Sequence, residues 1–293
     1  MNRSARQAMA RQTVAILEEG GYALPDGAHV GIGHDLKNCV EATRLLRPEE
    51  VKSLLGEVLA QPGASVSLSV EIENETTLAG IARLLREGCA PVAALNFASA
   101  KNPGGGFLGG SQAQEESLAR SSGLYASLMK AWDFYEQHRS GTSALYSDAM
   151  ILSPGCPIFR HDAGHLLGSV HHATFISSAA PNAGAVSNNT PHELSLLPET
   201  LGRRAEYILA LAASQGLRYL VLGAWGCGVF RNDPKLVARA FMELLARPDW
   251  QGRFSKVVFS ILDPSPQSEL IETFRKAAAE WGLARASGVS RAP

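Results

Sequence analysis

The chain has 293 residues, with 27 Lys and Arg against 28 Asp and Glu, and a formal net charge of -1. This balance argues against a nucleic-acid or anionic-membrane partner held by bulk charge. With 45% hydrophobic and 19% charged residues, and no apolar run near the roughly 18 residues of a membrane helix, the chain is predicted to be a soluble globular protein with a sizeable core.

The first 63 residues are predicted to form a mainly helical extension. Apolar spacing indicates helices over about 5–19 and 36–46, separated by a turn-rich stretch from Gly20 to Gly33. Three arginines near the start are typical of a transit peptide, but no apolar signal core follows them. The first segment is therefore predicted to be a capping helix.

Strands and helices alternate from Ala64 onwards. Residues 66–72 alternate between apolar and polar types, as a strand does. Helix Thr76–Arg86, strand Val92–Phe97 and helical structure over Ser111–Arg139 follow in the sequence.

The second half of the chain continues this alternation. Extended segments are predicted at Ala149–Ser153, Ile158–Arg160 and Ala173–Ser177, where prolines punctuate the loops. The last elements are helix Leu201–Gln215, strand Tyr219–Gly223, helix Pro234–Ala246, strand Lys256–Leu262 and helix Gln267–Leu283. The order predicts a three-layer α/β/α sandwich with a parallel or mixed sheet, a core over 64–283 and a flexible tail over 284–293.

The four cysteines lie far apart in the sequence, at Cys39, Cys89, Cys156 and Cys227. This spacing predicts neither a disulfide framework nor a metal clip. A reducing cytoplasm is therefore the simpler setting for the protein.

A glycine-rich loop follows the strand that ends at Phe97. It ends in three consecutive glycines, Gly104, Gly105 and Gly106. Glycine permits positive φ and close backbone approach, so several N–H groups of such a loop can point at a phosphate. A flexible surface loop is the alternative, and the absence of GxxxxGK[ST] argues against a P-loop nucleotide triphosphatase.

A second glycine loop, Gly223–Phe230, follows a strand and leads into the helix that begins near Pro234. Because its placement repeats that of the first loop, the two loops are predicted to hold a diphosphate through backbone dipoles. Trp225 and Phe230 are each predicted either to stack on a ring or to belong to the core.

Two adjacent carboxylates, Glu115 and Glu116, directly follow Gln114 after the first glycine loop. Neighbouring side chains of a regular helix diverge by about 100°, so both can reach one ligand only at a helix start or an irregular turn. A solvated helix N-terminus, where the helix dipole favours negative charge, is the alternative.

The run Gly104–Gly106, seven further residues and then Gln114–Glu116 resembles the GGG-X6-8-QEE signature of poly(ADP-ribose) glycohydrolases, which are macrodomain proteins. The context from Asn102 to Tyr125 is most similar to the compact bacterial type, and weaker similarity extends over about 5–283. The resemblance implies an α/β fold: one three-layer α/β/α macrodomain with a mixed central sheet and an N-terminal helical extension, residues 1–63, packed on the core.

The resemblance implies hydrolysis of the ribose–ribose O-glycosidic bond in poly(ADP-ribose), with release of ADP-ribose. Glu116 matches the catalytic glutamate, which would protonate the departing ribose 2′ oxygen and then activate water as a carboxylate. Glu115 would hold the leaving ribose, and Asn102 would orient the reacting ribose. The substrate diphosphate would help to stabilise the oxocarbenium-like centre. No enzyme nucleophile, metal or other cofactor is expected.

Further matches imply contacts with the substrate. These residues are Asn102, Gly104, Gly105, Gly106, Gln114, Gly226, Cys227, Gly228, Val229 and Phe230. Phe230 would pack against ribose or adenine, and either Glu75 or Thr77 would contact adenine.

The implied partners are poly(ADP-ribose) or ADP-ribose, with ADP-ribosylated proteins as carriers. Direct binding of nucleic acid or membrane is not expected, and the chain is predicted to act as a cytoplasmic monomer of bacterial type in the DNA damage response.

Two alternatives from other functional classes stay open. A noncatalytic ADP-ribose reader would need the glycine loops alone, although the retained Glu115 and Glu116 argue against it. A hydrolase of mono-ADP-ribosylated protein would keep the macrodomain but need not have this carboxylate pair.

Other residues carry weaker signals. A metal site at His161 and His165 would lack the glutamate of the HExxH pattern, and Cys227 has no recognisable histidine partner as a nucleophile. Arg160 and Arg231 are predicted to approach polymer phosphates if their loops border the cleft.

Overall fold

The computed structural model describes residues 1–283, which form a mixed α/β structure. The helices, numbered α1 to α11, are Arg3–Glu19, Gly33–Ala42, Pro48–Ala60, Thr77–Arg86, Gln114–Ser121, Leu124–Lys130, Trp132–Ser140, Ala183–Asn189, Leu197–Ser214, Pro234–Ala246 and Glu269–Glu280. The strands, numbered β1 to β9, are Gly21–Ala23, His29–Gly31, Arg44–Leu46, Ser69–Glu73, Val92–Phe97, Met150–Arg160, Leu166–Ser178, Tyr219–Leu222 and Lys256–Ser260. The predicted tail, Ala284–Pro293, lies outside the described residues.

Within the described part of the chain, seven strands form a central sheet in the order β3-β6-β7-β5-β8-β9-β4. The pairs at the β3 edge, β3 with β6 and β6 with β7, are antiparallel. Every pair from β7 to the β4 edge is parallel. The sheet is therefore mixed, as predicted, and its parallel half requires crossover connections that place helices on its faces.

Helices cover both faces of this sheet. Along β5, Ala93 and Leu95 pack into one buried cluster with α9 and α10, whereas Val92 and Ala94 pack into a second cluster with α4, α6 and α7. Successive side chains of a strand point to opposite faces, so a strand that is buried on both faces is apolar throughout. The predicted three-layer α/β/α fold is confirmed.

Capping residues fix the starts of two helices that follow parallel strands. Asp233 accepts a hydrogen bond from Lys235 N at 2.9 Å, and Pro234 occupies the first turn of α10, as predicted. Thr76 likewise accepts from Ala79 N at 3.1 Å at the start of α4. These caps determine where the loops that leave β8 and β4 end.

The N-terminal segment contains strands as well as the predicted helices. The predicted capping helix is α1, but the turn-rich stretch holds the β1–β2 hairpin, and the helix predicted over 36–46 ends at Ala42. Beyond it, β3 pairs with β6 and forms an edge of the central sheet. Strands of three residues are too short for an alternating pattern to reveal them.

Two strands are longer than predicted. β6 runs through Pro154 and Pro157 as one strand, with a register shift between Ser153 and Cys156. A bulge tolerates proline inside a sheet because it interrupts the ladder of backbone hydrogen bonds. Its partner β7 begins at Leu166 rather than at Ala173. No helix within residues 1–283 combines the length and apolar character needed to cross a membrane.

Candidate functional site

A cleft of about 650 Å³ opens where β4, β5, β8 and β9 end. Ligands of open α/β sheets bind at the carboxyl ends of the strands, and the volume suits a small-molecule ligand. The predicted residues that line the cleft are Glu75, Thr77, Gln114, Glu115, Glu116, Gly226, Cys227, Gly228, Val229 and Phe230. The structure therefore brings the second loop and the carboxylate pair to one place, and the start of the first loop, at Ala98 and Ser99, also lines the cleft.

The first glycine loop makes room for the two glutamates. Gly104 and Gly105 have left-handed backbone conformations, with φ of 67° and 60°. A Cβ atom at Gly105 would overlap the Glu116 carboxylate and lie 3.2 Å from Glu115 Oε2. Glycine at this position thus serves both the turn and the close approach of the carboxylates.

Glu116 lies in the first turn of α5 and lines the cleft. Its Oε1 accepts a hydrogen bond from Gly106 N at 3.0 Å, and the side chain is half-buried. One oxygen is thus anchored to the glycine loop while the side chain stays accessible from the cleft.

Glu115 is buried, with 3% of its surface exposed. Its Oε1 accepts from Asn96 Nδ2 at 3.1 Å, and its Oε2 accepts from Ser99 N at 2.8 Å. Burial raises the pKa of Glu115 to about 8, and the charge of Glu116 adds to the rise. The Glu115 carboxyl is therefore mostly protonated at neutral pH, unlike an ordinary glutamate.

Gln114 joins the start of α5 to the end of β5. Its Oε1 accepts from Phe97 N at 2.9 Å, while its Nε2 donates to Leu95 O at 2.7 Å and to Thr77 Oγ1 at 3.1 Å. Both ends of the amide are engaged by the protein, and this fixes the position of the following glutamates. A direct contact of Gln114 with substrate stays a prediction.

The second glycine loop packs closely against neighbouring parts of the protein at Gly226 and Trp225. Gly226 has a φ of 74°, and a Cβ atom there would overlap the Asn232 amide and lie 2.5 Å from Ala180 Cβ. The Trp225 indole is buried and donates to Ser178 O at 3.0 Å, so this tryptophan belongs to the core. The loop backbone is therefore fixed at the edge of the cleft.

The remaining side chains of the second loop differ in exposure. Burial raises the pKa of Cys227 to about 12, with a smaller effect of Asp233, so the thiol stays protonated and is a poor nucleophile. Val229 is 83% exposed. Phe230 is half-buried, with its ring centroid 6.1 Å from that of Tyr146. Phe230 therefore lines the cleft and also packs against the core, and its contact with ribose or adenine stays a prediction.

The two candidates for adenine recognition both line the cleft but are already bonded to the protein. Glu75 accepts from Arg83 Nη2 at 2.9 Å and from Ser260 Oγ at 3.1 Å. Thr77 is buried and accepts from Gln114. Their contact with adenine stays a prediction, and the choice between them stays open.

Asn102 lies on the exposed side of the first loop. Its backbone N donates to Ser99 Oγ at 3.1 Å, and Arg139 donates to Lys101 O at 2.7 Å beside it. Asn102 and the three consecutive glycines are not part of the cleft lining. A contact of Asn102 with ribose therefore stays a prediction.

Several side chains beside the glutamates have no role in the predictions. Asn96, whose amide contacts Glu115, is a polar residue within an apolar strand, which is a signal readable from sequence. Arg120 and Asp162 also line the cleft. Asp162 accepts from Thr76 Oγ1 at 2.5 Å across 86 residues of sequence, and no local pattern indicates such a contact.

The weaker hypothesis about Arg160 is decided by its burial and bonding, whereas the one about Arg231 stays a prediction. Arg160 is 1% exposed and its guanidinium donates to Gln12 Oε1 at 2.8 Å, so the prediction that it approaches polymer phosphates is wrong. Arg231 lies beside the second loop, where its N donates to Gly228 O at 3.0 Å.

Within residues 1–283, no group of three His, Cys, Asp or Glu side chains is placed to hold a metal ion.

Comparisons with known proteins agree with this geometry. The family model described as microbial-type PARG, catalytic domain, matches residues 10–161, a span that contains the first glycine loop and both glutamates. A comparison with curated proteins gives no match.

Solved structures extend the similarity to both halves of the chain. Poly(ADP-ribose) glycohydrolase from Thermomonospora curvata is 46% identical, covers 94% of this chain and 99% of its own, and has a TM-score of 0.88. The same enzyme bound to the inhibitor ADP-HPD is 44% identical over 93% and 99%, with a TM-score of 0.86. The enzyme from Deinococcus radiodurans in complex with ADP-ribose is 48% identical over 84% and 97%, with a TM-score of 0.79.

Proposed function

The chain belongs to the family of microbial-type poly(ADP-ribose) glycohydrolases, and we propose that it hydrolyses the ribose–ribose O-glycosidic bond of poly(ADP-ribose) and releases ADP-ribose. The observation that carries this proposal is the carboxylate pair. Glu115 and Glu116 face one cleft from consecutive positions, and only Glu115 is buried. Binding of ADP-ribose alone would not require such a pair.

Glu116 acts as the general acid and base. Its carboxyl donates a proton to the departing ribose 2′ oxygen while positive charge grows on the anomeric carbon. The resulting carboxylate then accepts a proton from the attacking water. The bond from Gly106 N to Oε1 supports this role, because it fixes the carboxyl without withdrawing it from the cleft.

Glu115 holds the leaving ribose through hydrogen bonds. A protonated carboxyl can both donate to and accept from a hydroxyl, and the raised pKa of about 8 keeps Glu115 in this form at neutral pH. A neutral Glu115 also avoids placing two negative charges side by side when Glu116 ionises. The different burial of the two residues thus supports different roles.

The glycine loops hold the diphosphate of the substrate through their backbones. The second loop, Gly226–Val229, offers backbone N–H groups at the cleft. Gly105 and Gly106 of the first loop, whose own N–H groups donate to Asn102 O and Glu116 Oε1, contact the diphosphate through close backbone approach. Phe230 packs against ribose or adenine, and Asn102 orients the reacting ribose. The accessible position of the second loop at the cleft supports this arrangement.

The test compares wild type with Glu116→Gln, which keeps an oxygen for Gly106 N but cannot transfer a proton. Purified poly(ADP-ribose) is incubated with each protein, free ADP-ribose is followed by chromatography, and ADP-ribose affinity is measured by calorimetry. Glu243→Gln on α10, whose side chain is 45% exposed, is the control. We expect release by wild type and control, and a loss of at least about 10²-fold in Glu116→Gln with ADP-ribose binding retained.

Other outcomes would favour the alternative functions. Binding without release by wild type would indicate a noncatalytic reader. Release from mono-ADP-ribosylated protein but not from polymer would indicate a hydrolase for the protein-linked bond.

We further propose that the chain acts in the cytoplasm as a monomer on polymer carried by ADP-ribosylated proteins. Cys39, Cys89, Cys156 and Cys227 are all free thiols, which supports a reducing compartment.

A further inference from the structure

Helix α1 contacts the continuation of the first glycine loop, residues 107–111, through three side chains on one face. Arg3 Nε donates to Gly109 O at 2.9 Å, and Gln7 Nε2 donates to the same oxygen at 3.2 Å. Arg6 Nε donates to Gly110 O at 2.7 Å. Residues three and four apart on a helix are neighbours, so this face engages two successive carbonyl groups of the loop.

The backbone of α1 lies directly against Gly110. This glycine has a φ of 74°, and a Cβ atom there would lie 2.5 Å from Arg3 O and 2.8 Å from Gln7 Cγ. One turn later, Ala10 packs with Phe107 in a small buried cluster. The loop is therefore held by hydrogen bonds and by a contact that leaves no space for a larger residue.

The anchored part of the loop is connected to Glu116 by consecutive hydrogen bonds. Gly109 N and Ser111 N both donate to Gly106 O, at 3.0 and 3.1 Å. On the other side of the same residue, Gly106 N donates to Glu116 Oε1 at 3.0 Å. Fixing the Gly109–Gly110 carbonyls therefore fixes the backbone that holds the Glu116 carboxylate.

A second contact joins α1 to the other end of α5. Thr13 Oγ1 donates to Arg120 O at 2.6 Å, in the last turn of that helix. The Arg120 guanidinium in turn donates to Ser111 O at 2.8 Å. The segment from Gly109 to Arg120, which carries Glu116, thus contacts α1 near both of its ends.

We infer that the first two turns of α1 are a positioning element for the carboxylate of Glu116, an inference that rests on the proposed glycohydrolase function. A glycine-rich loop has little intrinsic conformational preference, so external contacts must select the conformation that presents Gly106 N to Glu116. Arg3, Arg6 and Gln7 precede residue 10, where the match to the family model begins. The family model therefore does not include these contacts.

The test is the double substitution Arg3→Ala with Arg6→Ala, alongside Gln7→Glu, which has nearly the same shape but replaces the donor to Gly109 O with an acceptor. Arg11→Ala is the control, because Arg11 is exposed on the same helix. We expect kcat on poly(ADP-ribose) to fall about tenfold or more in both test variants, since a small misplacement of a catalytic group slows the chemical step. KM, ADP-ribose affinity and Tm should stay close to those of Arg11→Ala. Arg3→Ala with Arg6→Lys, which retains a donor at position 6, should recover part of the kcat lost in the double variant.

Hydrogen exchange measured by mass spectrometry gives a readout that is independent of activity. Peptides covering residues 104–113 should exchange faster in the double variant and in Gln7→Glu than in wild type. Unchanged exchange with unchanged kcat would overturn the inference. A loss of kcat that accompanies a fall in Tm and is not relieved by Arg6→Lys would also overturn it, because such a loss would reflect general destabilisation. If wild type releases no ADP-ribose, the proposed function fails, and the exchange data still decide whether α1 orders the loop.

Discussion

Burial gives two neighbouring glutamates different chemistry. Glu115 is enclosed behind the strand end, where Asn96 and Ser99 donate to its oxygens, whereas Glu116 reaches the cleft. The regular 100° step between helical neighbours would separate them. The position at the first turn of α5, opposite Gly105, lets both carboxyl groups approach the same loop.

The raised pKa of Glu115 predicts a dependence of stability on pH. Below its ordinary value of 4.5, Glu115 is protonated in the folded and unfolded chains alike. As the pH rises towards about 8, the unfolded chain loses this proton and the folded chain keeps it, so the free energy of unfolding falls. Above the folded pKa the loss is complete.

Glu115→Gln should remove this dependence. The amide replaces an oxygen that accepts from the protein with a donor, which costs about 1 kcal/mol at low pH, but it cannot ionise. Chemical denaturation between pH 4.5 and 8 should therefore show wild type losing stability relative to Glu115→Gln. Parallel curves for the two proteins would contradict the buried, protonated state of Glu115.

Gly105→Ala should inactivate the enzyme by displacing Glu116. The substitution requires a left-handed conformation at φ of 60° and places a Cβ atom in the carboxylate. Gly216→Ala is the matched control, with φ of 66° and no atom within 4 Å of the added Cβ. Both should lose about 1–2 kcal/mol of stability from the backbone. Only Gly105→Ala should lose polymer hydrolysis by about 10²-fold, and equal activity in the two variants would refute the contact.

At the scale of single residues, the candidate site is predictable from sequence wherever the residue types themselves are unusual. Three successive glycines and the pair Glu115 and Glu116 stand out without knowledge of the fold. The contacts of Arg120 and Gly110 do not stand out in the sequence. Each of them depends on a partner in α1 that only folding brings near.

A cluster of ion pairs connects α4 to β4 and β9 beneath the cleft. Arg83 donates to Glu71 and to Glu75, both at 2.9 Å, and Lys256 contacts Glu71 at 3.0 Å. Burial disfavours the charged form of Glu71, but the hydrogen bonds of Lys256 and Arg83 outweigh it, so the pKa of Glu71 is lowered. The cluster also fixes Glu75 at the cleft wall.

Arg83→Met should destabilise the fold by about 2–4 kcal/mol, because it leaves the partly buried Glu75 without its ion-pair partner and removes one of the cations that contact Glu71. Arg239→Met is the control, since the pair between Arg239 and Glu243 is exposed on α10. The control should lose no more than about 0.5 kcal/mol. Urea unfolding of both variants measures the difference, and similar losses would contradict a structural role of the cluster.

At the element scale, long periodic segments are predictable and short or interrupted ones are not. The apolar runs of the parallel strands, the alternation over residues 66–72 and the caps of α4 and α10 reveal those elements. β3 is missed because three residues show no period, and β6 is divided because Pro154 and Pro157 are typical of loops. Its bulge depends on pairing with β7, which local sequence does not contain.

The whole molecule has one central sheet that draws on both parts of the chain. The predicted boundary after residue 63 separates β3 from the strand β6 with which it pairs. Leu46, Val51 and Val58 from the first part also lie in the same buried cluster as α9 and α10. We therefore propose that residues 1–63 and 64–283 fold as one unit.

Calorimetry should show a single unfolding transition for the full chain, with a ratio of calorimetric to van't Hoff enthalpy of about one. Removal of residues 1–63 should abolish this transition rather than leave a smaller one, because it takes away an edge strand and part of the core. Two resolved transitions in the full chain would instead support an independently folding extension.

The order of strands also affects how such proteins are recognised in genomes. The first glycine loop follows β5 and the second follows β8, which are neighbours in the sheet although more than a hundred residues separate them in the chain. A truncated gene that encodes only the span matched by the family model, residues 10–161, keeps the complete GGG and QEE motif. Its product lacks β7, β8 and the second loop, so we expect such a pseudogene to be inert despite its intact signature.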